Sequence, residues 1–207
     1  MFKRIMAWTL VFFLLLCGCN GCKEERVGLV EGIDNSDSFK DRLSNVTDWE
    51  DHLLHILPPS SSCKMFTLSS TNKLIFEQNT IPTSDDFGPG GLLGLIKGDP
   101  TPRTRPLNML LLSIEYCQKH PDLPVVVVIF TDGDNDFFAD KEDIKSACAE
   151  LLAQNNLRAI GLFGLTNNNR LDWSNWLGNQ SDRRVVIKGV VDADSGIEQI
   201  GDLAEGK

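Results

Sequence analysis

Apolar and polar positions along this chain follow two alternating periods. Short apolar runs of strand character lie at Val27–Ile33, Met65–Ser69, Lys73–Glu77, Val125–Thr131, Ala159–Phe163 and Val185–Ile187. The run Val125-Val126-Val127-Val128-Ile129-Phe130 is β-branched and apolar on both faces, the pattern of a central strand buried on both sides. Between these runs, apolar residues recur at intervals of three and four: Phe39, Leu43, Val46, Trp49, Leu53 and Leu57; then Leu107, Leu110, Ile114 and Cys117; then Ile144, Cys148 and Leu151. Each set gives one helix a single apolar face. Shorter helices are predicted at Leu171–Leu177 and Ile197–Ala204.

Strands alternating with helices predict an α/β fold, a doubly wound, three-layer, Rossmann-like sheet of about six strands. Only Ser70, Thr71 and Asn72 separate the second strand from the third, too few for a helical crossover, so that pair is predicted antiparallel and the rest mostly parallel. Gln78–Arg103, with Gly88-Pro89-Gly90-Gly91 at its middle, reads as one long irregular rim loop. It lacks the lysine and helix start of a phosphate-binding loop.

The N-terminus changes the picture of where the chain works. Lys3 and Arg4 precede an apolar run, Met6–Leu16, that is interrupted only by Thr9 and is short for a membrane span. Leu16-Cys17-Gly18-Cys19 then resembles a bacterial lipobox, which implies cleavage before Cys19 and lipidation of its thiol. The expected layout is a signal peptide and lipidation site at 1–19, a polar tether at 20–26 and one domain at 27–207. The expected location is the bacterial cell envelope, lipid-anchored and facing the periplasm or exterior. Cys22, Cys63, Cys117 and Cys148 are left as disulfide partners or buried thiols, and the spacing does not choose between them.

With 207 residues, 42% of them hydrophobic, there is room for one core and no second domain. A net charge of −9 without a basic patch excludes a nucleic-acid partner and suits cation binding.

Three separated segments carry candidate chemistry. Asp34-Asn35-Ser36-Asp37-Ser38 lies where the first strand gives way to the first helix, and offers a carboxylate and two hydroxyls at alternate positions. Thr131-Asp132-Gly133 ends the central strand in an acid followed by a residue that permits a sharp turn. Thr101-Pro102-Arg103-Thr104-Arg105-Pro106 precedes the helix feeding that strand, and supplies a third hydroxyl from Thr104 or Thr101. In an open α/β sheet such segments meet beyond the carboxyl ends of the strands, where the winding reverses. An all-oxygen set suits Mg²⁺ or Mn²⁺; Mg²⁺ takes six oxygens at roughly 2.0–2.1 Å.

Asp34-x-Ser36-x-Ser38, a threonine ahead of a helix and Thr131-Asp132-Gly133 resemble the metal-ion-dependent adhesion site of von Willebrand factor A domains, over a span from Val27 to about Leu203. The resemblance implies a strand order 3-2-1-4-5-6 with the third strand antiparallel. It implies that Ser36, Ser38 and Thr104 touch the metal, that Asp34 and Asp132 act partly through water, and that a carboxylate of a protein partner completes the coordination. Two positions depart from the family pattern: Asp37-Ser38-Phe39 stands where glycine, serine and methionine are frequent, and Pro102-Arg103-Thr104-Arg105 replaces a glycine-rich run. Arg103 and Arg105 would repel a cation or recruit an acidic partner.

Rival readings are narrower. Asp34, Ser36 and Ser38 as helix caps account for one of these residues, not for three with an acid across the sheet. Asp132, Asp134 and Asp136 imitate a calcium loop, but Phe137 and Asp143 occupy its glycine and glutamate positions. His52 and His55 share a helix face with no third ligand, and Trp173 and Trp176 read as packing residues. The expectation is a metal-dependent protein-binding module and not an enzyme, with a metal-independent structural subunit and a metal-assisted hydrolase as alternatives.

Overall fold

The computed structural model describes residues 26–68, 72–83, 86, 91–97, 103–134, 140–178 and 182–207. The proposed lipidation site Cys19, positions 20–25 of the tether with Cys22 among them, Thr101 and Asp136 lie outside these residues. Among the described residues, no helix is long and apolar enough to cross a membrane.

Six strands form one sheet: β1 Gly28–Ile33, β2 Ser62–Thr67, β3 Leu74–Gln78, β4 Val125–Phe130, β5 Leu157–Phe163 and β6 Val185–Ile187. Their order is β3-β2-β1-β4-β5-β6. All neighbours are parallel except β2 and β3, which pair as the expected hairpin. The helices are α1 Leu43–Ile56, α2 Leu92–Lys97, α3 Pro106–Lys119, α4 Lys141–Leu152, α5 Asn167–Trp176 and α6 Ala193–Ala204. A short 3-10 turn, Lys40–Arg42, leads into α1.

Two apolar layers sandwich the sheet. Leu29 and Ile33 of β1, with Val126, Val128 and Phe130 of β4, face Val46, Trp49 and Leu53 of α1 and Ile197 and Ile200 of α6. Val30 of β1, with Val127 and Ile129 of β4, faces Met109, Leu110 and Ile114 of α3 and Ile144 and Cys148 of α4. Every residue of β1 and β4 is buried, as a central parallel strand requires.

Several boundaries differ from the sequence reading. β2 starts at Ser62 and not Met65, because Ser62 and Cys63 pair with Gly28 and Leu29 although neither is a strong strand former. Helix α5 starts at Asn167, four residues before Leu171, since Thr166 caps it by accepting the Asn169 amide. Helix α6 starts at Ala193, where small Ala193 and Gly196 are buried positions that an apolar count overlooks. The stretch expected to be one irregular loop contains α2, whose Leu92 and Ile96 are buried in the α1 layer. Cys63, Cys117 and Cys148 are buried free thiols, so none of the three is in a disulfide.

Candidate metal centre

Two adjacent parallel strands build the site. Ile33 pairs with Phe130, so β1 and β4 end side by side, and Asp34 continues the ladder by donating its amide to the Phe130 carbonyl at 2.8 Å. From this pair the chain crosses to β2 on one side and β5 on the other, which makes it the point of reversal. Asp34 follows β1, and Thr131 and Asp132 follow β4.

The Asp34 carboxylate is fully buried and is the hub. Oδ1 accepts the Ser36 amide at 2.9 Å, which turns the loop back on itself. Oδ2 accepts the Thr131 hydroxyl at 2.8 Å from the neighbouring strand end. The Thr104 hydroxyl reaches the same group, 3.1 Å from Oδ1 and 3.3 Å from Oδ2. The Ser36 and Ser38 hydroxyls lie 3.1 Å apart, Ser36 being buried. The structure thus joins Asp34, Ser36 and Thr104 directly and brings in Ser38 through Ser36.

Asp132 is 2% exposed and close enough for its charge to act on Asp34. Burial raises the Asp34 carboxyl to about 6, with the Asp132 charge adding to the rise and the hydrogen bonds from Ser36 and Thr131 opposing it. Among the described residues, no lysine, arginine or histidine forms an ion pair with Asp34 or Asp132. Arg42, the cation that enters from the 3-10 turn, donates to the Gly164 carbonyl instead. Asp34 holds the Thr104 and Thr131 hydroxyls and Asp132 Oδ1 accepts the Asp134 amide at 3.0 Å, so two buried carboxylates with no paired cation among the described residues form a set that a hard divalent ion fits. No three His, Cys, Asp or Glu side chains converge among the described residues.

Arg105 is already paired within the chain. Arg105 is engaged by Asp140, its Nε 2.7 Å from Oδ2 and its Nη2 3.3 Å from Oδ1. That ion pair ties the segment carrying Thr104 to the start of α4, and the Asp140 charge offsets the one expected to repel a cation.

A supporting layer that the motifs do not reveal comes from α5. Asn169 donates to the Asp132 carbonyl at 2.9 Å and to Asp134 Oδ1 at 2.6 Å, and the Thr166 amide donates to the same carbonyl at 3.1 Å. Trp173 is fully buried and donates its indole N–H to the Gly133 carbonyl at 3.1 Å. Gly133 has φ +85°, and a Cβ there would lie 2.4 Å from Leu165 Cδ2. Trp176 stacks edge-on against Trp173 with ring centroids 5.1 Å apart. An Asn and a Trp at i and i+4 of a helix carry no sequence signal for this role. His52 and His55 lie away from the site and face Asp194 and Asp51 at 3.6 Å each.

No protein-family model matches the chain, and comparison with curated proteins finds no relative. Comparison with solved structures finds the von Willebrand factor A fold. Manganese-loaded TRAP of Plasmodium vivax superposes with a TM-score of 0.59 at 16% identity, covering 86% of this chain and 74% of that one. BatB of Bacteroides thetaiotaomicron gives 0.59 at 13% identity, covering 86% of this chain and 98% of that one. The mussel byssus protein PTMP1, with zinc in its metal-ion-dependent adhesion site, gives 0.58 at 13% identity, covering 87% and 46%.

Proposed function

We propose that this chain is a metal-dependent protein-binding module of the bacterial cell envelope and not an enzyme. In this reading Asp34, Ser36, Ser38, Thr104 and Asp132 hold one Mg²⁺ or Mn²⁺, and a partner's Asp or Glu carboxylate completes its coordination. Lipidation at Cys19 and the tether at 20–26 would hold the domain 27–207 at the membrane.

The observation that carries the reading is the convergence of three distant segments on one buried carboxylate, Asp34, with Asp132 beside it and no protein cation pairing with either among the described residues. Structural caps would account for the Ser36 bond but not for Thr104 and Thr131 reaching the same group from two other segments. The fold neighbours support the choice of ion class, since one is described as manganese-loaded and another as having a zinc-occupied site of this kind. An aerotolerance-related membrane protein of Bacteroides fragilis, with a TM-score of 0.57 at 11% identity, fits an envelope setting for this fold.

A bound cation would act as a Lewis-acid seat for an incoming carboxylate. The chain's own part is to hold two charges and their hydroxyls at the strand ends and to fix the Thr131–Asp134 turn through Asn169 and Trp173. Water-proton relaxation with Mn²⁺ tests this. Relaxivity rises with the wild-type chain, stays at the level of free Mn²⁺ with Asp132→Ala, and falls when a short aspartate-bearing peptide displaces bound water. Equal relaxivity for wild type and Asp132→Ala overturns the reading.

A further inference from the structure

A second acidic pair lies inside the domain, away from the candidate metal centre. Glu31 stands in the middle of β1, on the face shared by Leu29 and Ile33, and Glu50 stands on α1 between Trp49 and Leu53. Both are 0% exposed. None of their four carboxyl oxygens meets a hydrogen-bond partner of ordinary geometry, and the two groups act on each other from facing elements.

The surroundings supply no countercharge. From β2, Glu31 is flanked by its register partner Met65, with the buried Cys63 thiol also in range; from β4 the register partner is Val128. Helix α6 offers Ile197, Ile200 and Ala204 toward this layer, while its Asp194, Glu198 and Asp202 are exposed or outside the buried set. Helix α2 offers Leu92 and Ile96, and β5 offers Ala159 and Phe163. On α1 itself, His52 faces Asp194 at 3.6 Å. Among the described residues, no lysine or arginine pairs with Glu31 or Glu50.

Two ionised carboxylates in such a layer cost far more than one carboxylic acid bonded to one carboxylate. We infer that Glu31 and Glu50 share a proton and form a pH-dependent latch that fastens α1 to the central strand β1. Loss of that proton to solvent leaves two like charges facing each other between helix and sheet, and α1 loosens. The inference is independent of the metal reading, since neither residue belongs to that donor set.

Burial, helped by the Glu50 charge, holds Glu31 well above its ordinary 4.5, and burial raises Glu50 to about 7. Acids that bind protons more tightly folded than unfolded stabilise the fold fully below about 4.5, and the Glu50 contribution is lost as pH rises through about 7. The Cys63 thiol is pushed up by burial, then by the two glutamates, and stays protonated across this range.

Thermal melts of the full chain in detergent and EDTA test the latch. They are run in an Asp34→Asn background, because that carboxyl titrates in the same range. The midpoint is expected to fall by about 5–10 °C between pH 5 and pH 8 with Glu31 and Glu50 intact, and to stay flat once Glu31→Gln and Glu50→Gln are added. An equal pH slope in both chains overturns the inference. Should the glutamine chain fail to fold, infrared spectra of the Asp34→Asn chain decide. A protonated-carboxyl carbonyl stretch persisting at pH 7 supports the shared proton, and its absence at that pH overturns it.

Discussion

The Thr131 hydroxyl donates to Asp34 Oδ2 at 2.8 Å, linking the end of one central strand to the end of the next. The same hydroxyl oxygen accepts the Gly133 amide at 3.0 Å, so one buried side chain holds the acid of the first segment and the turn of the second. Thr131→Val keeps the shape and removes both bonds, leaving a buried amide and carboxylate short of a partner. Chemical denaturation should show a loss of about 1–3 kcal/mol, with weaker metal binding. Unchanged stability would mean that the strand ends are held by the ladder alone.

Gly133 sits at φ +85° under the α5 roof. Gly133→Ala adds backbone strain and a clash with Leu165, and should cost about 1–3 kcal/mol while displacing Asp132. Melting and Mn²⁺ affinity, measured together, should both decline. A variant as stable and as tight as wild type contradicts this account of the turn.

Trp173 separates packing from hydrogen bonding. Trp173→Phe removes the N–H donated to Gly133 and should cost about 1–2 kcal/mol, whereas Trp173→Ala also empties a fully buried ring site and should cost about 3–5 kcal/mol. Equal losses in the two variants would show that filling the ring site carries nothing beyond the indole bond.

In the proposed site, protons and a cation would compete for Asp34. Burial raises this carboxyl to about 6, so metal affinity should fall as pH drops from 7 to 5, and most steeply near 6. In the cation-free chain the sign is opposite for stability: the raised acid stabilises the fold below its ordinary 3.8, and the benefit is lost as pH rises through about 6. Mn²⁺ titrations at pH 5, 6 and 7 check the first effect. Affinity independent of pH over that range would remove Asp34 from the donor set.

Much of this is legible in the residues because the relevant signals are local. The apolar run of β4 and the short gap between the second and third strand runs are short-range patterns, and both give the observed sheet. Asp34, Ser36, Ser38, Asp132 and Thr104 flank predicted strand and helix ends, so topology alone brings them together. What escapes is non-local. Glu31 lies inside a run otherwise read as strand, and only the docking of α1 shows that it faces Glu50. Asn169 supports Asp132 from 37 positions away, and Arg105 finds Asp140 from 35 away, separations at which periodicity holds no information. The start of α6 is invisible to an apolar count because alanine and glycine pack tightly without raising it.

The central claim is that the oxygens gathered around Asp34 bind one divalent cation. Isothermal titration of the chain with Mg²⁺ and with Mn²⁺, wild type against Ser36→Ala/Ser38→Ala, tests it most directly. One ion bound by wild type and none by the double variant is the predicted result; identical titrations for the two would contradict it.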